Sequence, residues 1–300
     1  MNVEEHSYLD LLKEILHRGS KRTDRTGVGT IGIFGSKLKF SLENGKIPML
    51  TTKKMFAKGA VEELLFFLRG ETDTTKLEAK GVNIWKGNTT REFLDSRGLE
   101  DTPTGDMGLG YGFQWRNFGG KIGSNKYDAE RPEPSNRYYD GVDQLSSVIH
   151  TLKTNPTDRR IIISAWNPKQ LPEMALPPCH MMVQFYVDDG QLSSQFYMRS
   201  IDSFLGLPFN LLSYGILTHI VAKTVGMKAK ELIFVGGDTH IYQNHTNQAA
   251  EQSLRDPFQF PTLSIGKVLK TVSDIEQLQW ADFKIEGYQS HPAIKAEMAV

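Results

Sequence analysis

The chain has 300 residues, with 35 basic and 35 acidic side chains and a formal charge of zero. No whole-molecule field therefore draws it toward nucleic acid or an anionic membrane surface. Its one cysteine excludes an internal disulfide and a cysteine-built zinc cage, which fits a reducing, cytoplasmic setting. No apolar run approaches the roughly 20 residues of a membrane span, and the acidic start Met1-Asn2-Val3-Glu4-Glu5 predicts no signal peptide.

The first predicted element is a helix capped by Ser7, with Leu9, Leu12, Ile15 and Leu16 on one face and Gly19 at its end. Thr30 to Leu42 alternates as a strand with Leu38, Phe40 and Leu42 on one side. Val61 to Leu68 is apolar nearly all round and predicts a buried helix, although it contains Glu62 and Glu63. Residues 87 to 143 are irregular, and Glu130-Arg131-Pro132-Glu133-Pro134 within them predicts an exposed loop. Strands follow at Ile161–Trp166, Met181–Val187 and Leu192–Tyr197, the last two joined by a turn at Asp188-Asp189-Gly190. A long apolar helix from Asn210 to Val225 and a short buried strand at Leu232–Val235 come next. There is no internal repeat, linker or regular βαβ rhythm. The expectation is one α+β domain spanning residues 1–300, a mixed sheet packed against helices.

The chemistry-bearing residues are concentrated late in the chain. Cys179 lies in Leu176-Pro177-Pro178-Cys179-His180, where two prolines stiffen the approach and His180 and Arg199 can lower the thiol pKa. A lone cysteine is otherwise a small core residue. A cysteine hydrolase needs a histidine base within reach, and the adjacent His180 on a strand points to the opposite face. Arg159-Arg160 and Arg199-Ser200 abut apolar strands, which places their guanidiniums near the core and in need of an anion; a phosphate takes the planar fork bidentately. Arg25, before Gly27 and Gly29, joins them as a phosphate candidate. Asn210 serves either as a helix cap or as an amide that reads a uracil edge. His240 and Tyr242 alternate on an extended run and can hold a sugar hydroxyl together. His240 with His245 lacks a third ligand, so no metal site is expected.

These motifs resemble the thymidylate synthase family across essentially the whole chain. The match runs from Arg25-Thr26-Gly27 through Glu63-Leu64-Leu65, Ile84-Trp85, Tyr111-Gly112-Phe113-Gln114-Trp115-Arg116 and Asp158-Arg159-Arg160. It continues through the cysteine segment, Arg199–Asn210, Gly237–His245, Ile285-Glu286-Gly287-Tyr288 and Ala299-Val300. The resemblance implies a homodimer acting on deoxyuridylate and methylenetetrahydrofolate, with Cys179 adding to C6 of uracil. It implies that Arg25, Arg199 and Ser200, with Arg159 and Arg160 of the second subunit, bind the phosphate. Asn210 would read uracil, His240 and Tyr242 the 3′-hydroxyl, Glu63 would order waters for proton transfer, Tyr111 would help remove the C5 proton, and His180 would sit near the base. Ile84, Trp85, Asp202, Leu205, Gly206 and Phe209 would hold the folate, over which Val300 closes.

Some positions depart from the family pattern. Gly108-Leu109-Gly110-Tyr111 replaces the usual proline and β-branched residue, which should loosen the backbone before Tyr111. Met198 precedes Arg199 where glutamine is usual, and Leu211-Leu212 follow Asn210. The nucleophile and uracil reader are unaffected. An alternative outcome, water rather than hydride capturing the methylene carbon, would make a hydroxymethylase. Asn210 argues against cytosine, because cytosine readers of this superfamily carry aspartate there. A non-enzymatic nucleotide or RNA binder finds no basic surface to support it.

Overall fold

The computed structural model describes residues 2–24, 26–121 and 140–297. Arg25, Ala299, Val300 and the predicted exposed loop at Glu130–Pro134, all named above, lie outside the described residues.

The described elements begin with α1 (Val3–Arg18), β1 (Ser20–Arg22), β2 (Thr30–Ser41) and α2 (Ala57–Leu68). Short helices α3 (Thr75–Glu78), α4 (Arg91–Ser96), α5 (Tyr111–Asn117) and α6 (Gln144–Thr154) precede β3 (Ile162–Ser164). The site-bearing half comprises β4 (His180–Asp188), β5 (Gln191–Asp202), α7 (Gly206–Thr224) and β6 (Lys228–Tyr242). It is followed by α8 (Thr246–Ser253), β7 (Thr262–Ile265), α9 (Val272–Glu276) and β8 (Phe283–Glu286). This is the mixed α+β architecture expected.

A six-stranded sheet, ordered β1-β2-β6-β5-β4-β3, organises the molecule. All its pairings are antiparallel except β5 with β6, which run parallel because α7 carries the chain back between them. Asp189 and Gly190, both at positive φ, make the two-residue turn between β4 and β5, as the Asp-Asp-Gly run predicted. α7 is mostly apolar, and most of its residues from Leu207 to Thr224 are buried between the sheet and α2. Phe40, Leu42, Phe196, Phe234 and Leu217 lie in the core between these layers.

Several boundaries differ from the sequence reading. Asn2, not Ser7, caps α1: its side chain accepts the Glu5 amide at 3.2 Å, and Ser7 bonds back to the Val3 carbonyl from inside the helix. The buried Glu5 carboxylate then accepts four hydrogen bonds from Thr51 and Thr52, fastening α1 to the loop before α2. β3 is shorter than expected and β5 longer. β6 extends far beyond Leu232–Val235, because polar positions such as Asp238, Thr239 and His240 are satisfied by neighbouring strands and side chains. α7 starts four residues before Asn210, so Asn210 is not a cap. No helix among the described residues is long and apolar enough to cross a membrane.

The sheet face away from α7 carries cross-strand rows of matched residues. One row is Ile162, Gln184, Gln195, Ile233 and Lys39; the next is Ser164, Met182, Tyr197, Val235 and Lys37. All ten are exposed or half-exposed.

Candidate active site

Cys179 sits just before β4, half-buried, at the end of the proline loop. Two groups fix it. The hydroxyl of Tyr111 accepts its backbone amide at 2.7 Å, and the Arg199 guanidinium lies 3.8 Å from its sulfur. Arg199 also holds the loop itself, donating from Nε to the Pro178 carbonyl at 2.8 Å and from Nη2 to that of Pro177 at 2.9 Å. Nη1 has no hydrogen-bond partner among the described residues and is available to an anion. Positive charge this close stabilises negative charge on the sulfur. The guanidinium stands over Trp166 at 5.5 Å, a neighbour that nothing in the sequence spacing marks.

His180 is buried and turned the other way. Its Nδ1 meets the Tyr214 hydroxyl at 2.8 Å, and its ring stacks on Tyr111 at 3.9 Å, 11° from parallel. Burial drives its pKa down to about 3, so it is a neutral ring at physiological pH. The expectation that His180 helps lower the thiol pKa is therefore corrected: that charge comes from Arg199. Burial likewise pushes Tyr111 well above the ordinary phenol range, with negative charge at Cys179 adding to the effect.

The segment before Tyr111 is tightly held, contrary to the loosening expected from Gly108-Leu109-Gly110. Gly108 has φ +67°, accepts the Gly110 amide at 2.8 Å and donates to Asp106 at 2.8 Å. A side chain there would strike the Glu173 carbonyl at 2.2 Å. Leu109 donates to Glu173 at 3.0 Å, receives Gln114 Nε2 on its carbonyl at 2.9 Å, and is buried with Phe113 and Met174. Packing and bridge bonds do here what a proline does elsewhere.

Helix periodicity leaves Glu62 and Glu63 equivalent, and the structure separates them. Glu62 pairs with Lys80 at 2.6 Å. Glu63 faces the site and, among the described residues, accepts only the Trp85 indole N–H, at 2.8 Å. Burial raises Glu63 to about 7, with the Trp85 bond pulling the other way. Beside it is a void of about 10 Å³, room for one water, lined by Glu63, His180, Asn210, Ser213 and Tyr214 along with apolar groups. Asn210 presents its amide to this space with no hydrogen-bond partner among the described residues. Tyr214 and Ser213 are site residues the sequence reading missed; their spacing of three and four from Asn210 along α7 is the signal that was available.

The parallel pair aligns the remaining candidates. Ser200 lies opposite Asp238 and Asp202 opposite His240. His240 bonds Asp238 at 3.0 Å and packs edge-on against Tyr242 at 5.4 Å, as their alternation predicted. Asp238 is also paired to Arg22 at 2.8 Å. Nearby, Asp24 accepts from Thr26 and from the Gly29 amide, folding the glycine loop against Gln243.

Asp202 turns the chain into α7, its Oδ1 accepting the amides of Phe204 and Leu205 and its Oδ2 free of hydrogen bonds among the described residues. Trp85, Leu205, Gly206 and Phe209 are half-buried, and Ile84 is 42% exposed. Flat apolar walls beside an open carboxylate suit an amphipathic heterocycle. Lys53, missed in the sequence, is buried against this turn: its ammonium caps the Phe204 carbonyl and lies 3.8 Å from the Phe204 ring centre. Burial lowers its pKa to about 8, opposed by Asp202.

Arg159 and Arg160 are not brought to the site. They occupy the turn before β3, exposed, with the Arg160 side chain 90% accessible. The expectation that they lie near the core fails because the apolar run begins only at Ile161, and its strand at Ile162. Among the described residues no cluster of three or more His, Cys, Asp or Glu side chains could hold a metal.

A thiol beside an arginine, with a buried carboxyl and an amide close by, is an arrangement suited to an enzyme with a nucleophilic cysteine. The thymidylate synthase family model matches residues 6–300. The thymidylate synthase of equine herpesvirus 2 is 48% identical over 296 residues, covering 99% of this chain and 98% of that protein. The human thymidylate synthase is also 48% identical, over 99% of this chain and 91% of its own length. A probable thymidylate synthase of Schizosaccharomyces pombe is 48% identical across the whole chain, which spans 48% of that longer protein. The chain belongs to the thymidylate synthase family.

Proposed function

We propose that this chain, acting as one catalytic unit, converts deoxyuridylate to thymidylate with methylenetetrahydrofolate as co-substrate. The observation that carries the reading is the Cys179 cluster: a half-buried thiol beside Arg199, with Tyr111, Glu63 and Asn210 around it. Cys179 adds to C6 of the uracil, which makes C5 a carbon nucleophile. The folate supplies the one-carbon unit and then the hydride. Asn210 pairs with the uracil edge, and Glu63, titrating near neutrality, moves a proton at O4 through ordered water. Tyr111 takes part in removing the C5 proton, while His180, a neutral ring, supports the base and Tyr111. Cys179 leaves at the end of the cycle.

Arg199 Nη1 and Ser200, with Arg25, bind the phosphate; His240 and Tyr242 hold the 3′-hydroxyl. Ile84, Trp85, Leu205, Gly206 and Phe209 pack the pterin and Asp202 holds its polar edge, with Val300 closing the folate side. Arg159 and Arg160 act in the partner's site of a homodimer. Two features support this: both arginines project into solvent, and the Arg159 carbonyl is tied by Gln184 Nε2, 3.2 Å away, to the uncovered sheet face. Rows of Ile, Tyr, Val, Met and Gln on that face suit a second copy.

Incubation with deoxyuridylate and methylenetetrahydrofolate tests the reading. A methylated nucleotide formed with equimolar dihydrofolate supports it. A hydroxymethylated nucleotide with tetrahydrofolate would instead mean that water captures the methylene carbon.

A further inference from the structure

The last described stretch of the chain, residues 288–297, has no regular secondary structure and is fastened at intervals. The Tyr288 hydroxyl donates to the Leu50 carbonyl and accepts the Met55 amide, both at 2.9 Å. His291 donates to Thr51 at 2.8 Å, and Arg255 holds the Pro292 carbonyl at 2.8 Å. The final fastening is different in kind: the Glu297 carbonyl meets Nε2 of His245 at 2.6 Å.

His245 is 1% exposed and stands in the 3-10 turn Gln243–His245, immediately after β6. Because Nε2 faces a carbonyl oxygen, it carries the proton. Nδ1 is buried with no partner among the described residues, so the tail carbonyl is the one polar anchor of this ring. On its apolar sides the ring packs 5.8 Å from Phe204 and 6.0 Å from Tyr242. Phe204 belongs to the Asp202–Leu205 turn, which Tyr8 holds through Ser203 at 2.9 Å and which bonds the His240 carbonyl through Ser203 at 2.7 Å. One imidazole thus touches the nucleotide-side strand, the folate-side turn and the segment ending at Glu297.

We infer that His245 is a positioning residue that docks the extended segment 288–297 onto the folate side of the site. The inference rests on the methyl-transfer reading above. His245 touches neither substrate. It acts by holding the Glu297 carbonyl in register with Phe204 and Tyr242.

His245→Phe keeps the ring packing and removes the donor; His245→Gln restores a donor at the position of Nε2. The Phe variant is expected to raise KM for methylenetetrahydrofolate about threefold and lower kcat about threefold, together about tenfold in kcat/KM, the scale of one lost hydrogen bond. Its Kd for deoxyuridylate, measured without folate, stays within about twofold. Amide hydrogen exchange across residues 289–297 speeds up in the Phe variant, and Gln reverses both effects. Unchanged exchange in the tail, or a parallel loss of deoxyuridylate affinity, overturns the inference. Should the Phe variant not fold, His245→Asn, too short to reach Glu297, carries the same comparison. Absence of turnover in the unaltered protein sinks the methyl-transfer reading instead, while the tail exchange remains readable.

Discussion

The Tyr111 hydroxyl accepts the Cys179 amide at 2.7 Å while the Tyr111 ring lies flat on His180. One side chain therefore sets both the height of the nucleophile and the plane of the aromatic floor. Tyr111→Phe keeps the stack and strands the Cys179 N–H. It should cost about 1–3 kcal/mol of stability in urea melts. It should also lower kcat on the order of 10²-fold, because the proton-transfer group is lost with the bond. A variant with unaltered kcat would refute the assigned role.

Glu63 gives a stability signature independent of turnover. Its folded pKa, about 7, is raised above the ordinary value of 4.5. The folded state therefore holds the proton more tightly. The protonated group costs nothing below the unfolded pKa, and stability is lost as pH rises from about 4.5 to about 7. The loss at pH 8 is on the order of 3 kcal/mol. Glu63→Gln, which still accepts from Trp85, should match the parent at pH 4 and be more stable at pH 8, although catalytically impaired. Urea unfolding at the two pH values reads this directly; equal stability at both would mean the carboxyl is not desolvated.

Asn210 lines the void beside Glu63, its amide without a hydrogen-bond partner among the described residues. Replacing it with aspartate exchanges a donor–acceptor pair for acceptors. Asn210→Asp should shift the ratio of kcat/KM between deoxyuridylate and deoxycytidylate by on the order of 10²-fold toward cytosine. An unchanged ratio would show that selectivity resides elsewhere.

Subunit mixing tests the arginines. Cys179→Ala and Arg160→Ala homodimers should each be nearly inactive. In a mixed dimer, one site keeps its own cysteine and receives an intact Arg160. Co-refolding the two at equal amounts should recover about one quarter of the parent activity by random pairing. No recovery, with dimers formed, would mean Arg160 acts within its own subunit or not at all.

The local patterns were readable wherever a side chain's environment follows from its own neighbours in sequence. The alternation of β2, the Asp-Asp-Gly turn and the pairing of His240 with Tyr242 are of this kind. Asn210 looked like a cap because Pro208 and Phe209 precede it, but proline is tolerated in a first helical turn, so α7 begins at Gly206. Glu62 and Glu63 could be told apart only by Lys80 and Trp85, both set by tertiary packing. Lys53, Trp166 and Tyr214 escaped because what makes them functional neighbours is a carbonyl, a guanidinium and a histidine far away in sequence.

The parallel seam between β5 and β6 also shapes how the molecule is made. The β4–β5 hairpin that carries Cys179 and Arg199 can close locally around a two-residue turn. Strand β6, which brings His240 and Tyr242, can join only after the intervening helix has formed and swung the chain across. A nascent chain halted before residue 228 would thus hold Cys179 and Arg199 but lack His240 and Tyr242, and under the proposed function synthesis must finish the crossover before deoxyuridylate can stabilise the fold by binding.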